Sequence, residues 1–323
     1  MKTNLLKIFS TLFIFFTFIY SGLVYSSELE EANYPTRPIN FIIPLPPGNP
    51  ADLATRLIAK ETEKYLKQPI VPVNKPGGSL AVGTTAIATA KPDGYTIGSS
   101  MHAPMLVIPN LQKVPYDPIK DFKQIMQFGS YNFGIIVKYD SPFRDFKDII
   151  AYARQNPNKL TYGTPSYGLL HFVMEQILKK EGVQVTRIPT KGTAETEIDL
   201  LGGHIQVGVV ELNYSLIEAK QTRVVLVLRD EPSAEYPQIP ILKDLGYDIP
   251  CPIFMGVQGP KGIPEGIVKK IEDAFTNAMK GETFIKGMKE IRYPIVYRNS
   301  NELSNFISHN FKIYEKIVKE SLK

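Results

Sequence analysis

Short runs of β-branched and aromatic residues alternate with amphipathic helical stretches almost from end to end of this chain. No other feature constrains the fold as much. Strands separated by helices cannot pair as two-residue hairpins, so each must return by a crossover. The order βαβα therefore predicts parallel sheet with helices packed on its faces. Residues 39–44 read as a buried strand, 51–66 as a helix ending at Gln68-Pro69, 70–74 as a second strand and 82–90 as a helix. Pro92-Asp93-Gly94 then turns the chain into a strand at 95–99.

The second half repeats the logic. Strands are predicted at 135–137, 160–163, 183–188, 205–210, 224–228 and 254–257. Helices are predicted at 146–154, from the loop after 163 to Lys180 with Gly182 as its cap, at 194–201 and at 214–220. The chain from Pro264 onward reads as mostly helical. Two α/β units with a late return imply two lobes joined by crossing strands, one at 28–132 plus 252–323 and the other at 133–251. About 300 residues is the length of two such units.

The N-terminus carries an export pattern. Lys2 and Lys7 precede an apolar run over 8–20, and Val24 and Ser26 stand at −3 and −1 of a small-residue cleavage site. The run is shorter than the roughly 20 residues of a spanning helix, so residues 1–26 are expected to be a cleaved signal peptide and not an anchor. No Cys follows the run, which argues against a lipoprotein. The single cysteine, Cys251, permits no internal disulfide. With 37 Lys+Arg against 32 Asp+Glu and the charges scattered, no basic stripe points to nucleic acid.

Three segments carry candidate chemistry, each at the end of a predicted strand. In Pro44-Leu45-Pro46-Pro47-Gly48-Asn49-Pro50-Ala51-Asp52 a strand gives way to a helix. Asn49 is a good N-cap, Pro50 suits the first helical position and Asp52 the third. Backbone N–H groups at such a helix start bind anions, although the same residues also make a well-capped loop without a ligand. In Thr161-Tyr162-Gly163-Thr164-Pro165-Ser166-Tyr167-Gly168-Leu169-Leu170-His171 the same change recurs in the other lobe. Thr164 and Ser166 are candidate caps and hydroxyl donors, and Leu169, Leu170, Val173, Met174, Ile177 and Leu178 form the core stripe. His171 reads equally as a ligand contact or as an ordinary helix histidine. In the third segment Ser99, Ser100 and His102 end a strand, where open α/β sheets bind their ligands.

Catalytic signals are missing. Ser166 is not in a G-x-S-x-G elbow, because Thr164 holds the first glycine position. There is no G-x-G-x-x-G and no Walker loop. His102, His171, His204 and His309 have no metal-ligand spacing. The expectation is a binder without metal or cofactor, not an enzyme.

Several segments resemble the tripartite tricarboxylate transporter substrate-binding receptors, the Bug family. Tyr34-Pro35-Thr36-Arg37-Pro38-Ile39 is similar to the family's opening, and the 44–52 loop to its P-F-P-P-G-G-x-x-D. Asn74-Lys75-Pro76-Gly77-Gly78 with Gly83, Lys91-Pro92-Asp93-Gly94-Tyr95-Thr96, and Val114-Pro115-Tyr116-Asp117-Pro118 with Asp121-Phe122 follow in order. Lys191-Gly192-Thr193 and Asp199-Leu200-Leu201-Gly202-Gly203 complete the set. Each is weak alone, but six in order are specific.

The resemblance implies a type II periplasmic-binding fold of class α/β that closes on a small organic carboxylate. It also implies a periplasmic location, delivery to the membrane subunits of a tripartite tricarboxylate-type transporter, and a monomer. A sensor kinase is the rival partner, and neighbouring genes would discriminate the two. Pro46, Pro47, Gly48 and Asn49 are expected to form one wall, with Leu45 and Asp52 as further ligand-binding candidates beside them. Thr164, Pro165, Ser166, Tyr167, Gly168 and His171 form the other. Ser99, Ser100 and His102 line the floor, and Glu211 sits near the hinge. The departures lie at Leu45, Asn49, Ala51, Leu169, Leu170, Thr190 and Glu211, where the family more often has Phe, Gly, Thr or Ser, Ser, Ser, Tyr and Asp. They predict a ligand with more apolar surface than a small aliphatic diacid.

Overall fold

The computed structural model describes residues 31–165, 168–230 and 236–322. Among them are ten strands in two five-stranded sheets. The first sheet holds β1 (Ile39–Ile43), β2 (Ile70–Asn74), β3 (Thr96–Met101), β4 (Phe122–Gly129) and β10 (Met255–Pro260), in the order β2-β1-β3-β10-β4. The second holds β5 (Phe133–Lys138), β6 (Thr161–Pro165), β7 (Thr186–Thr190), β8 (Val207–Glu211) and β9 (Thr222–Leu228), in the order β7-β6-β8-β5-β9. The chain thus passes between sheets twice, at 130–132 and again after Leu228. Ser130 Oγ, on the first crossing, donates to the Ile253 carbonyl on the second at 3.1 Å.

The sheets are mixed, which corrects the all-parallel expectation. β1 pairs parallel with β2 and β3, and β6 parallel with β7 and β8. β10 runs antiparallel to β3 and β4, and β5 antiparallel to β8 and β9. The reason is connectivity: β5 and β10 each enter a sheet straight from a crossing, without a helical crossover to turn them round.

The helices are α1 (Pro50–Leu66), α2 (Ala81–Ala88), α3 (Ile108–Leu111), α4 (Phe146–Gln155), α5 (Leu169–Glu181), α6 (Thr193–Gly202), α7 (Tyr214–Glu218), α8 (Glu265–Ala278), α9 (Glu282–Glu290) and α10 (Ser300–Ser321). A π-helical turn, Ala103–Val107, leads into α3. Capping chemistry sets several boundaries. Asn49 caps α1, while Asp145 and Asn299 make full capping boxes at α4 and α10. Gly182, at φ 63°, stops α5.

β4 is the strand that sequence reading missed. Its Gln124 and Gln127 interrupt the apolar run, yet both are buried. They are satisfied inside the sheet. Ser100 Oγ donates to Gln124 Oε1 at 2.7 Å, Gln124 Nε2 to Gln258 Oε1 at 3.0 Å, and Gln258 Nε2 to the Ser99 carbonyl at 3.1 Å. This ladder stitches β3, β10 and β4 across the middle of the first sheet.

Candidate functional site

The C-terminal ends of β1, β3, β6 and β8 carry the predicted site residues. Beyond β1, Leu45 is half-buried against the core while Pro46, Pro47 and Gly48 are exposed. Asn49 Oδ1 accepts the Ala51 N–H at 2.8 Å, which is the expected N-cap. Gly48 has φ +82°, a left-handed conformation natural to glycine, and no atom within 4 Å of a built Cβ.

Asp52 stands in the first turn of α1, as expected, and is bonded inside the loop. Its carboxylate is buried and accepts three internal donors: the Gly48 N–H at 2.9 Å, Arg56 Nε at 3.0 Å and Asn74 Nδ2 at 2.8 Å. Burial alone would raise its pKa, but these hydrogen bonds and the Arg56 charge together hold it below the usual carboxylate range. Asp52 holds the loop from below, and its carboxylate takes the Gly48 N–H.

The second loop brings a correction. Thr164 is buried, and its hydroxyl donates to the Val209 carbonyl at 2.9 Å, tying β6 to β8. It caps nothing. The N-cap of α5 is Gly168, which has no side chain to offer. Pro165 ends β6, partly exposed. Ser166 and Tyr167 lie outside the described residues, as does the predicted signal peptide. His171 is buried, with its ring centroid 5.1 Å from that of Phe172. Burial first, and the charge of Arg187 second, push its pKa down to about 4, so it is neutral at physiological pH. Leu169 is buried in the core rather than turned to a ligand.

The floor residues divide. Ser100 is committed to the glutamine ladder. Ser99 Oγ is buried without a hydrogen-bond partner, as is His102 Nδ1. His102 also bonds the Phe254 backbone, and burial lowers its pKa to about 4. The neutral ring therefore donates from Nε2 and presents Nδ1 as an acceptor.

Around His102 stands an aromatic group that sequence reading did not assemble. Its ring centroid lies 5.2 Å from Tyr131, 5.8 Å from Phe133 and 6.5 Å from Phe254, edge-on to each. Tyr131 and Phe133 stack at 5.5 Å with 3° between their planes, and Tyr293 packs on Tyr131 at 5.4 Å. Phe133 pairs in register with Glu211, the last residue of β8. The ends of β3 and β8, one from each sheet, thus meet through these rings. Tyr131-Asn132-Phe133, just before the strand predicted at 135–137, is the signal that could have flagged the crossing; nothing local marks Tyr293.

Glu211 is the ionisable centre. It accepts a hydrogen bond from the Tyr293 hydroxyl. Burial raises its pKa most, the Tyr293 bond lowers it, and the nearby Glu197 raises it further. Glu197, on α6, is itself buried and raised by desolvation, with Asn213 Nδ2 bonded to one oxygen and the other left unpaired. Among the described residues no group of three or more His, Cys, Asp or Glu could hold a metal ion.

Residues 54–322 match the sequence profile of the tripartite tricarboxylate transporter family receptors. The chain is 33% identical over 296 residues to a Cupriavidus necator protein called UPF0065 protein in gbd 5'region, covering 91% of this chain and 90% of that one. It is 25% identical to the protein BugT of Bordetella pertussis, covering 92% and 93%. In structure it resembles a TctC solute-binding protein from Polaromonas, solved without ligand, with a TM-score of 0.80 and 24% identity over 89% of this chain and all of that one.

Proposed function

From the premise that this chain belongs to the tripartite tricarboxylate transporter receptor family, a family of solute-binding proteins, we propose that it captures a small organic carboxylate in the periplasm. It then delivers the ligand, as a monomer, to the membrane subunits of a tripartite tricarboxylate-type transporter. Residues 1–26 are removed on export. The lobes are 28–132 with 252–323, and 133–251, and they close over the ligand.

One observation carries this reading. Helix α5 begins just beyond β6 with a glycine N-cap, which brings no side chain of its own to the helix start. Such a helix start favours an anion through its backbone donors and its dipole. Asn49, Gly48 and the exposed prolines form the opposite wall, and Ser99 Oγ and His102 Nδ1 lie buried beneath the cleft without hydrogen-bond partners. The rings of His102, Tyr131 and Phe133 favour a ligand with more apolar surface than citrate.

A thermal-shift screen of a carboxylate panel tests the proposal. A ligand that binds only the folded state stabilises it by about 2.7 kcal/mol at a hundredfold excess over its Kd. The free acid should raise the melting temperature and its methyl ester should not. An ester that binds equally well removes the carboxylate from the recognition.

A further inference from the structure

We infer that Glu211 is a specificity-determining residue that meets the ligand's carboxylate in its protonated form, so that capture takes up a proton. This rests on the carboxylate reading above.

The geometry of the carboxyl group leads to it. Tyr293 donates to Oε1 of Glu211. The other oxygen, Oε2, has no hydrogen bond among the described residues, and the Glu211 side chain is only half-buried. A carboxyl group that accepts at one oxygen carries its proton on the other. That places a single O–H donor on the open side of Glu211. The open side is where the ligand is proposed to sit. Glu211 ends β8, and β8 lies beside β6 with Gly163 opposite Gly208. Adjacent strands are about 4.8 Å apart, and α5 starts beyond the same end of β6, so Glu211 and the helix start belong to one end of the second sheet.

The groups that face Glu211 support the protonated form. From the segment after α9 comes Tyr293, from the first crossing Tyr131, and from α6 the acid Glu197. Two are phenols and one is a carboxyl group. The neighbouring cations are engaged elsewhere. Arg292 pairs with Glu218, and Arg229 reaches Asn132 Oδ1 at 3.5 Å. An anion arriving beside this set raises the pKa of Glu211 further, because like charges disfavour ionisation. A carboxyl group that was partly ionised must then bind a proton. Tyr293 is a positioning residue: it occupies Oε1 and so fixes which oxygen carries the donor.

The experiment is calorimetric titration of the mature full-length protein with adipate, malate and benzoate as probes. Each is run between about pH 6.5 and pH 8, where the probes are already ionised, in buffers of different ionisation enthalpy. The expected result is net proton uptake, with affinity falling as pH rises, by at most about tenfold per pH unit for one proton. Glu211→Gln should bind without proton uptake and with a flat pH profile. Tyr293→Phe should keep the uptake but move its midpoint to higher pH, because the lost hydrogen bond favoured the ionised form. Binding by the native protein without proton exchange would overturn the inference and leave the carboxylate reading standing. So would a pH dependence that persists in Glu211→Gln. If none of the probes binds and no member of the carboxylate panel shifts the melting temperature, the carboxylate reading fails, and this inference with it.

Discussion

Asn74, the last residue of β2, donates its side-chain amide to the buried carboxylate of Asp52 in the first turn of α1, over 2.8 Å. Its other N–H goes to the Leu45 carbonyl at 2.9 Å, and its oxygen accepts Arg56 NH2 at 2.5 Å. One side chain thus ties the end of a strand, the exposed 45–49 loop and a helix start together. The rigidity of that wall comes from polar bonds below it.

The first prediction follows. Asp52→Ala strands the Gly48 N–H, the Asn74 amide and the Arg56 guanidinium together. Hydrogen bonds to a charged group contribute about 1.5–3 kcal/mol each, and neighbours in one network do not add. A net loss of about 3 kcal/mol is expected from urea denaturation. The native contribution depends on pH. The folded pKa lies below the unfolded one, so the stabilisation is present above the ordinary Asp value of about 4 and fades as pH falls through the folded value. The gap between native protein and variant should close in acid; a gap that stays constant would mean the carboxylate charge is not what holds the loop.

Gly83 gives the second. A Cβ built there would lie 2.7 Å from the Lys75 carbonyl oxygen and 2.8 Å from Pro44 Cα, both backbone. Helix α2 therefore packs against the start of the proposed ligand wall only because this residue lacks a side chain. Gly83→Ala should push α2 or the 44–49 loop aside, at about 1–3 kcal/mol for overpacking. It should also weaken ligand binding in calorimetry by more than a surface substitution such as Lys60→Ala does. Unchanged affinity would separate this packing contact from the site.

The third concerns the buried glutamines. Gln124→Ala removes the middle of the ladder and leaves the Ser100 hydroxyl and the Gln258 carbonyl oxygen without their partner. Each unpaired buried polar group costs about 1–3 kcal/mol, so the thermal midpoint should fall by several degrees or more. A change under about 0.5 kcal/mol would show that water replaces the lost side chain.

That ladder also marks where the sequence stops being readable. Strands such as β2 and helices such as α1 and α5 announce themselves through apolar period, Asn49 and Gly182. β4 does not, because its buried positions are filled by glutamines whose partners, Ser100 and Gln258, lie 24 and 134 residues away. The site divides in the same way. Local loop chemistry marked Asn49 as the N-cap of α1, as found, without tertiary information. The partners of Asp52 and Thr164 were not legible, because a carboxylate or hydroxyl in such a loop looks the same in sequence whether its partner is a ligand, Asn74 or a neighbouring strand. Tyr293 reaches Glu211 across 82 residues, and no periodicity carries that distance.

Glu197 supplies the fourth prediction. Burial raises its pKa, and Asn213 offsets only part of that. A carboxyl group raised in the folded state contributes its stability below the unfolded pKa and loses it as pH rises through the folded value. Glu197→Gln keeps an oxygen for Asn213 Nδ2 and removes the charge. It should therefore be more stable than the native protein at about pH 8, by about 1 kcal/mol, with the difference vanishing near pH 4. Equal melting temperatures across that range would mean that the buried charge is already neutralised by a group outside this set.

The last prediction tests how the two lobes are held. Arg292 follows α9 at φ 58°, a left-handed conformation that costs a non-glycine residue about 1–2 kcal/mol. From there its guanidinium pairs with Glu218 and lies 4.7 Å over the Tyr214 ring, while its carbonyl accepts Asn132 Nδ2 at 2.8 Å. All three partners belong to the second sheet's half of the chain or to the crossing into it, whereas Arg292 lies between α9 and α10 of the other half. The ion pair is largely exposed and contributes at most about 1 kcal/mol, and the cation–π contact about 0.5–1. Arg292→Gly removes both but also relieves the backbone strain, so the two effects offset in global stability. The melting temperature should hardly move. If these contacts favour the closed arrangement of the lobes, their loss lowers ligand affinity by about five- to tenfold, since about 1–1.4 kcal/mol of closure energy is gone. Scattering of the ligand-free variant should also show a larger radius of gyration. A drop in melting temperature with unchanged affinity would reassign Arg292 to ordinary packing. Unchanged melting temperature with weakened binding identifies it as a clamp whose strain is retained for closure.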